Sequence, residues 1–148
     1  MTDHEGEQNA LYVVATWVPR RLEITVGSLG PVTFERGWYA YVGSARRGRD
    51  ARVARHLRRE KALRWHADYL FTTVPPRLAW LVDGPLTECE LAGALAAQPG
   101  AARPVRRFGA GDCRCPGHLI RLGACPTTAG LRAAVVAAGH ATARVFRR

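Results

Sequence analysis

Residues 10–18 read Ala-Leu-Tyr-Val-Val-Ala-Thr-Trp-Val and are closed by Pro19. An uncharged run this rich in β-branched and aromatic side chains is a buried strand, and the proline marks its end because it cannot donate to a ladder. A buried strand needs partners, and the next residues supply them. Residues 21–26 alternate polar with apolar, 27–31 hold turn residues, 32–34 resume the apolar pattern, and Gly37 precedes the aromatic run 38–42. Antiparallel strands joined by tight turns follow from that order.

Beyond Gly43 the period changes. Asp50 is placed to cap a helix in which Ala51, Val53, Ala54 and Leu57 form an apolar face and arginines fill the rest, predicting an amphipathic basic helix over 50–64. Residues 68–74 (Asp-Tyr-Leu-Phe-Thr-Thr-Val) and 78–82 read as two strands separated by Pro75-Pro76. Thr87 caps a second helix over 88–97, residues 99–104 form a loop, 131–138 read as a short alanine-rich helix, and 144–148 as a basic tail. The fold class expected is α/β in the α+β sense: a small antiparallel sheet flanked by helices, enlarged by a hairpin near the N-terminus. The domain expected spans 10–121, preceded by a polar tail (1–9) and followed by the C-terminal helix and tail (122–148).

Charge is distributed in blocks. The formal net charge is +10, with Lys61 the single lysine among 22 basic residues. Residues 46–64 alone carry +7 and residues 103–148 carry +8, while 1–45 and 65–102 are mildly acidic at −2 and −3. Blocks of this kind suit a polyanionic partner. No apolar run approaches the roughly 18 residues of a membrane span, and residues 1–10 are polar and acidic rather than leader-like. The expectation is a cytoplasmic protein with nucleic acid, and no membrane, as its partner. Four cysteines, Cys89, Cys113, Cys115 and Cys125, are then reduced thiols or metal ligands rather than a disulfide scaffold.

The segment with most chemistry is Tyr39-Ala40-Tyr41-Val42-Gly43-Ser44-Ala45, followed nine residues after its glycine by Arg52-Val53-Ala54-Arg55-His56. Arg52 and His56 stand one helical turn apart, so a fixed positive fork lies beside a titratable ring, a pair suited to a phosphodiester. This segment resembles the GIY-YIG nuclease superfamily, in which a Tyr-Val/Ile-Gly strand end leads into a helix bearing an essential arginine and, four residues on, a tyrosine or histidine. The strand around Ala10-Leu11-Tyr12 stands where the family has Gly-Ile-Tyr and keeps its tyrosine. The long hairpin of residues 20–37, Trp65-His66-Ala67-Asp68-Tyr69-Leu70, Glu88-Cys89 and Gly111-Asp112-Cys113-Arg114-Cys115-Pro116-Gly117-His118 resemble in particular the Uri-type small endonuclease-like branch. The family's late asparagine has no counterpart, since Asn9 is the only asparagine.

The resemblance implies a divalent-metal-dependent DNA endonuclease with catalytic Tyr12, Tyr41, Arg52, His56 and Glu88. Mg²⁺ or Mn²⁺ would sit on Glu88, and a tyrosine or His56 would deprotonate water. Glu88 is preferred to Glu90 as metal ligand because Leu91, Ala92 and Leu95 follow it at helical spacing and turn it toward the core side. Arg46, Arg47, Arg49, Arg55, Arg58 and Arg59 are the arginines expected along a DNA backbone. Cys113, Cys115 and His118, with Cys125 or Asp112 nearby in sequence, have ligand types that suit Zn²⁺. The alternatives are a nucleic-acid-binding module that keeps the fold without hydrolysis, and a zinc-stabilised interaction domain. His66 and Asp68 are expected to support structure or neighbouring site residues.

Overall fold

The run that opens the chain becomes the middle strand of a five-stranded antiparallel sheet. The computed structural model describes residues 9–45, 47–58, 60–110, 115–123, 133 and 143–147. Its strands are β1 (Asn9–Val18), β2 (Leu22–Thr25), β3 (Pro31–Phe34), β4 (Gly37–Ser44), β5 (Leu78–Gly84), β6 (Leu119–Gly123) and β7 (Ala143–Arg147), and its helices α1 (Arg49–Leu57), α2 (His66–Thr73) and α3 (Glu88–Ala96). The main sheet runs β6-β4-β1-β5-β7, and β2 pairs with β3 in a separate hairpin. The expected α+β class, antiparallel sheet and enlarging hairpin are all present.

Because β1 has a partner on each side, its alternate residues serve two cores. Leu11, Val13 and Ala15 join Trp80 and Val82 of β5 beneath Leu91, Ala92 and Leu95 of α3. Tyr12 and Val14 join Tyr41, Leu81 and Phe108 beneath Val53 of α1 and Ala67, Leu70 and Phe71 of α2. The sheet is thus covered by α3 on one face and by α1 and α2 on the other. Each Leu or Val sealed in either core contributes roughly 1.5–3 kcal/mol of hydrophobic free energy.

Three expectations need correction. Residues 68–74 are not a strand: His66–Thr73 is helix α2. Ala67, Leu70, Phe71 and Val74 have helical spacing, and the Asp68 carboxylate accepts from the backbone N–H groups of Arg64 (2.8 Å) and Trp65 (2.9 Å), which satisfies the start of the helix. The aromatic and β-branched content concealed that period. The basic helix begins at Arg49, after Gly48 in a left-handed conformation, so Asp50 lies in its first turn instead of capping it. It stops at Leu57 instead of near Arg64 because Lys61 turns back, its Nζ donating to the carbonyls of Arg55 (3.0 Å) and His56 (2.6 Å). The end of the supposed basic tail is instead strand β7, antiparallel to β5 with Ala79 opposite Phe146. The helix expected over 131–138 lies, apart from residue 133, outside the described residues, as do Arg46, Arg59, Asp112, Cys113 and Cys125.

Candidate active site

The cleft lies where β1 begins and β4 ends, and strand register decides what lines it. Tyr12 pairs with Gly43 and Val14 with Tyr41, so the two tyrosines are diagonal neighbours on the face that α1 covers. A Cβ on Gly43 would stand 2.4 Å from the Tyr12 ring, so only glycine lets that ring lie across β4. Gly109, at φ +70°, plays the same part for Tyr41, whose Cε1 would meet a Cβ at 2.7 Å. The resulting cleft of about 340 Å³ is lined by both tyrosines, Ser44, Arg52, His66 and Glu88 among others.

From α1, Arg52 reaches over to the end of β4. Its Nη1 donates to the Ser44 carbonyl at 2.9 Å, and its guanidinium lies 5.2 Å from the centre of the Trp65 ring. One of five N–H donors is engaged by Ser44, and the fork is aimed by a strand end and an aromatic face. His56, one turn later, is fully buried. Its Nε2 lies 3.0 Å from the Tyr12 hydroxyl, and the rings of Tyr41, Trp65 and Phe71 enclose it at 5.4–5.7 Å. Nδ1 of His56 has no hydrogen-bond partner among the described residues. An unpaired lone pair is tolerated in a protein interior more often than an unpaired N–H. The neutral ring therefore carries its proton on Nε2 and donates it to the Tyr12 oxygen.

Burial first, then the charge of Lys61 against the opposing pull of Asp68, lowers the His56 imidazole from 6.5 to about 3. The unfolded chain takes up that proton near 6.5 and the folded chain does not. The stabilising effect is therefore complete above about 6.5 and is lost as the pH falls toward 3. At pH 5 the expected loss is about 2 kcal/mol, or about 4–8 °C in melting temperature. Paired melts at pH 7 and pH 5 test it: His56→Gln, which keeps a partner for Tyr12 but cannot titrate, should flatten the difference. Equal slopes for the two proteins would show that His56 is not held neutral by the fold.

Burial also raises both tyrosines well above the ordinary phenol value, against the lowering effect of Arg52. Both are neutral phenols in the resting protein.

Glu88 comes to the same end of the sheet from the opposite face, on the first turn of α3. Ser44 Oγ donates to its Oε2 at 2.7 Å, and His118 Nδ1 lies 2.9 Å from its Oε1. Burial alone would raise this carboxyl, but His118, Ser44 and the Arg52 charge outweigh it and hold it below the ordinary glutamate value. Glu90 is exposed and points elsewhere: its Oε1 accepts from Thr87 N (2.8 Å) while Thr87 Oγ1 accepts from Glu90 N (3.1 Å), a reciprocal cap.

The remaining basic residues divide by what they touch. Arg55 holds both oxygens of the buried Asp68 at 2.8 and 3.0 Å, and Arg49 holds Asp83 at 2.6 Å, so these two guanidinium groups serve internal ion pairs. Arg47 and Arg58 are exposed, and Arg64 lines the cleft. His66 Nδ1 accepts from the Gly109 N–H at 2.9 Å, which leaves the neutral ring's proton on Nε2. Sequence reasoning assigned no site role to Ser44, Trp65 or Arg64, although Ser44 directly follows the Tyr-Val-Gly run.

Of the expected zinc cluster, Cys115 and His118 are described, and both are buried. The structure adds Cys89: the ligand atoms of Cys89, Cys115 and His118 all lie within 4.8 Å of one another, a group that could hold a metal ion. No helix among the described residues is long and apolar enough to cross a membrane.

A family model described as a domain of unknown function, DUF123, matches residues 11–140. The chain belongs to the DUF123 family. No curated protein matches the chain, and no solved structure matches it. The DUF123 match contains every residue that lines the cleft, from Tyr12 to Gly109, together with Cys89, Cys115 and His118, and it ends before β7.

Proposed function

We propose that this DUF123 domain is a divalent-metal-dependent DNA endonuclease of the GIY-YIG type. The observation that carries the proposal is convergence. Tyr12, Tyr41, Arg52 and Glu88, spread over 77 residues and four elements, meet in one cleft, with His56 hydrogen-bonded directly behind Tyr12.

The donor set fits a hard cation. Glu88 is ionised well below neutral pH and opens on the cleft, and Ser44 and His118 each engage one of its oxygens, leaving about two of the roughly four lone-pair sites of a carboxylate. Mg²⁺ or Mn²⁺ held there would supply Lewis-acid polarisation of the phosphodiester and a more acidic attacking water. Arg52 holds the non-bridging oxygens as charge builds on them, its remaining N–H donors aimed by Ser44 and Trp65. His56 cannot meet water, because the aromatic rings and Tyr12 enclose it. His56 is therefore a positioning residue that fixes the direction of the Tyr12 phenol, and a cleft tyrosine would accept water's proton only as the phenolate, the form that the Arg52 charge favours and burial opposes. Arg47, Arg58 and Arg64 supply the exposed charge along which a nucleic-acid backbone would lie.

The test is cleavage of a panel of branched and linear DNAs by protein purified without chelator, in buffer free of added divalent metal and then with Mg²⁺ or Mn²⁺ supplied. Wild type should nick only with metal, and Arg52→Ala should lose about 10²–10³-fold in rate with most binding retained. Equal rates in the variant and wild type would remove Arg52 from the mechanism. Binding without cleavage under either metal would favour the alternative, a nucleic-acid-binding module that has kept the fold alone.

A further inference from the structure

The cluster behind Glu88, with Cys115 and His118 buried and Cys89 partly so, has a geometry that hydrogen bonding alone does not require. Cys89 stands on the first turn of α3, and Cys115 and His118 flank a turn that enters β6. That turn depends on Gly117, at φ +150°, where a Cβ would meet the Val105 carbonyl at 3.0 Å. Cys89 Sγ lies 3.5 Å from His118 Nε2. For Zn–S of about 2.3 Å and Zn–N of about 2.05 Å, the S···N edge of a tetrahedron is about 3.6 Å and the S···S edge about 3.8 Å. The Cys89–His118 contact is already at that edge length, and the whole set lies within 4.8 Å.

The surroundings also suit a metal-bound pair of thiolates. Arg103 Nη2 is 3.9 Å from Cys115 Sγ, which places a fixed cation beside the sulfur, and Arg103 Nε donates to the Gly117 carbonyl at 3.1 Å. On the other side of the imidazole, Nδ1 faces Glu88 Oε1 at 2.9 Å. A histidine that ligates through one nitrogen commonly gives the proton of the other to a carboxylate, which fixes its tautomer and ring orientation.

We propose that Cys89, Cys115 and His118 form a structural Zn²⁺ site that ties α3 to the start of β6, with the metal on His118 Nε2 and Glu88 accepting the Nδ1 proton. The set differs from the one sequence spacing suggests, because Cys89 comes from a distant helix. The site orients the carboxylate on which the proposed endonuclease depends, but zinc binding itself does not rest on that activity.

The test is metal content of the full chain, purified without chelator or reconstituted with Zn²⁺. Wild type should hold about one zinc per chain, and Co²⁺ substitution should give thiolate charge-transfer bands with the visible absorption of a tetrahedral ion. Cys89→Ser and Cys115→Ser should each weaken zinc binding by at least about tenfold. Should either variant fold poorly, wild type still decides: a thiol reagent should modify Cys89 and Cys115 only after a chelator is added. Arg52→Ala should keep its zinc while it loses cleavage, and wild type that holds full zinc yet does not cut DNA would overturn the nuclease reading alone. Failure of wild type to take up Zn²⁺ or Co²⁺ would overturn the zinc site, as would undiminished affinity in both cysteine variants.

Discussion

Glu88→Gln is expected to lower DNA cleavage by about a thousandfold, equivalent to about 4 kcal/mol of transition-state stabilisation, with folding and DNA binding intact. The amide keeps the size of the side chain and one oxygen that can accept from His118 or Ser44, and it loses the charge that a hard cation needs. Zinc should stay with the protein, because a glutamine oxygen still accepts the His118 Nδ1 proton. Some stability should go, about 0.3–1 kcal/mol, since a negative charge leaves the first turn of α3. The companion variant is Glu90→Gln, which retains the reciprocal cap with Thr87 because glutamine serves there as glutamate does. It should cut DNA at the wild-type rate. Rates measured under single-turnover conditions with matched melts separate the two, and a dead Glu90→Gln beside an active Glu88→Gln would move the metal ligand two residues along the helix.

Asp68→Ala should produce the largest loss of stability of any single substitution considered, about 3–5 kcal/mol. Asp68 is fully buried, and its two oxygens accept from Arg55 Nη1 and Nη2 and from the Arg64 and Trp65 backbone N–H groups. Burial alone would raise this carboxyl, but those four donors and the Arg55 charge hold it below the ordinary aspartate value. Truncation leaves the Arg55 guanidinium without its counter-ion and the start of α2 uncapped, while Trp65, against which Arg55 stacks at 4.3 Å, loses its anchor. A fall of about 6–20 °C in melting temperature is expected for a chain of this size, and Asp68→Asn, which can still accept from the backbone, should fall less. A melt within about 2 °C of wild type would show that Arg55 and the helix start find other partners.

What sequence could and could not show follows from the range of the interactions. Alternation and composition suffice for β1 and for the β2–β3 hairpin, and apolar spacing places Leu91, Ala92 and Leu95 in the core and Glu88 beside it, because those signals are local. Tyr41, Gly43, Arg52 and His56 were legible as a motif within one short stretch. α2 was misread because Tyr69, Phe71, Thr72, Thr73 and Val74 favour strands by composition, whereas a carboxylate cap and a core-facing period won. Arg49 and Arg55 read as surface charge, since their partners Asp83 and Asp68 lie 34 and 13 residues away. Cys89 could not be joined to Cys115 and His118 for the same reason: no spacing rule spans the 25 residues between the cysteines.

Ser44 gives the cleft an unusual tolerance to insertion and deletion. Its carbonyl holds Arg52 and its hydroxyl holds Glu88, so the gap between the cationic fork and the carboxylate is measured by one residue at the end of a paired strand. Lengthening the turn between β2 and β3 alters neither end of that gauge. Removing one residue from within β4 would turn Ser44 toward the other face of the sheet and take both contacts away together. Length variation in this architecture is therefore free at the periphery and forbidden within one strand.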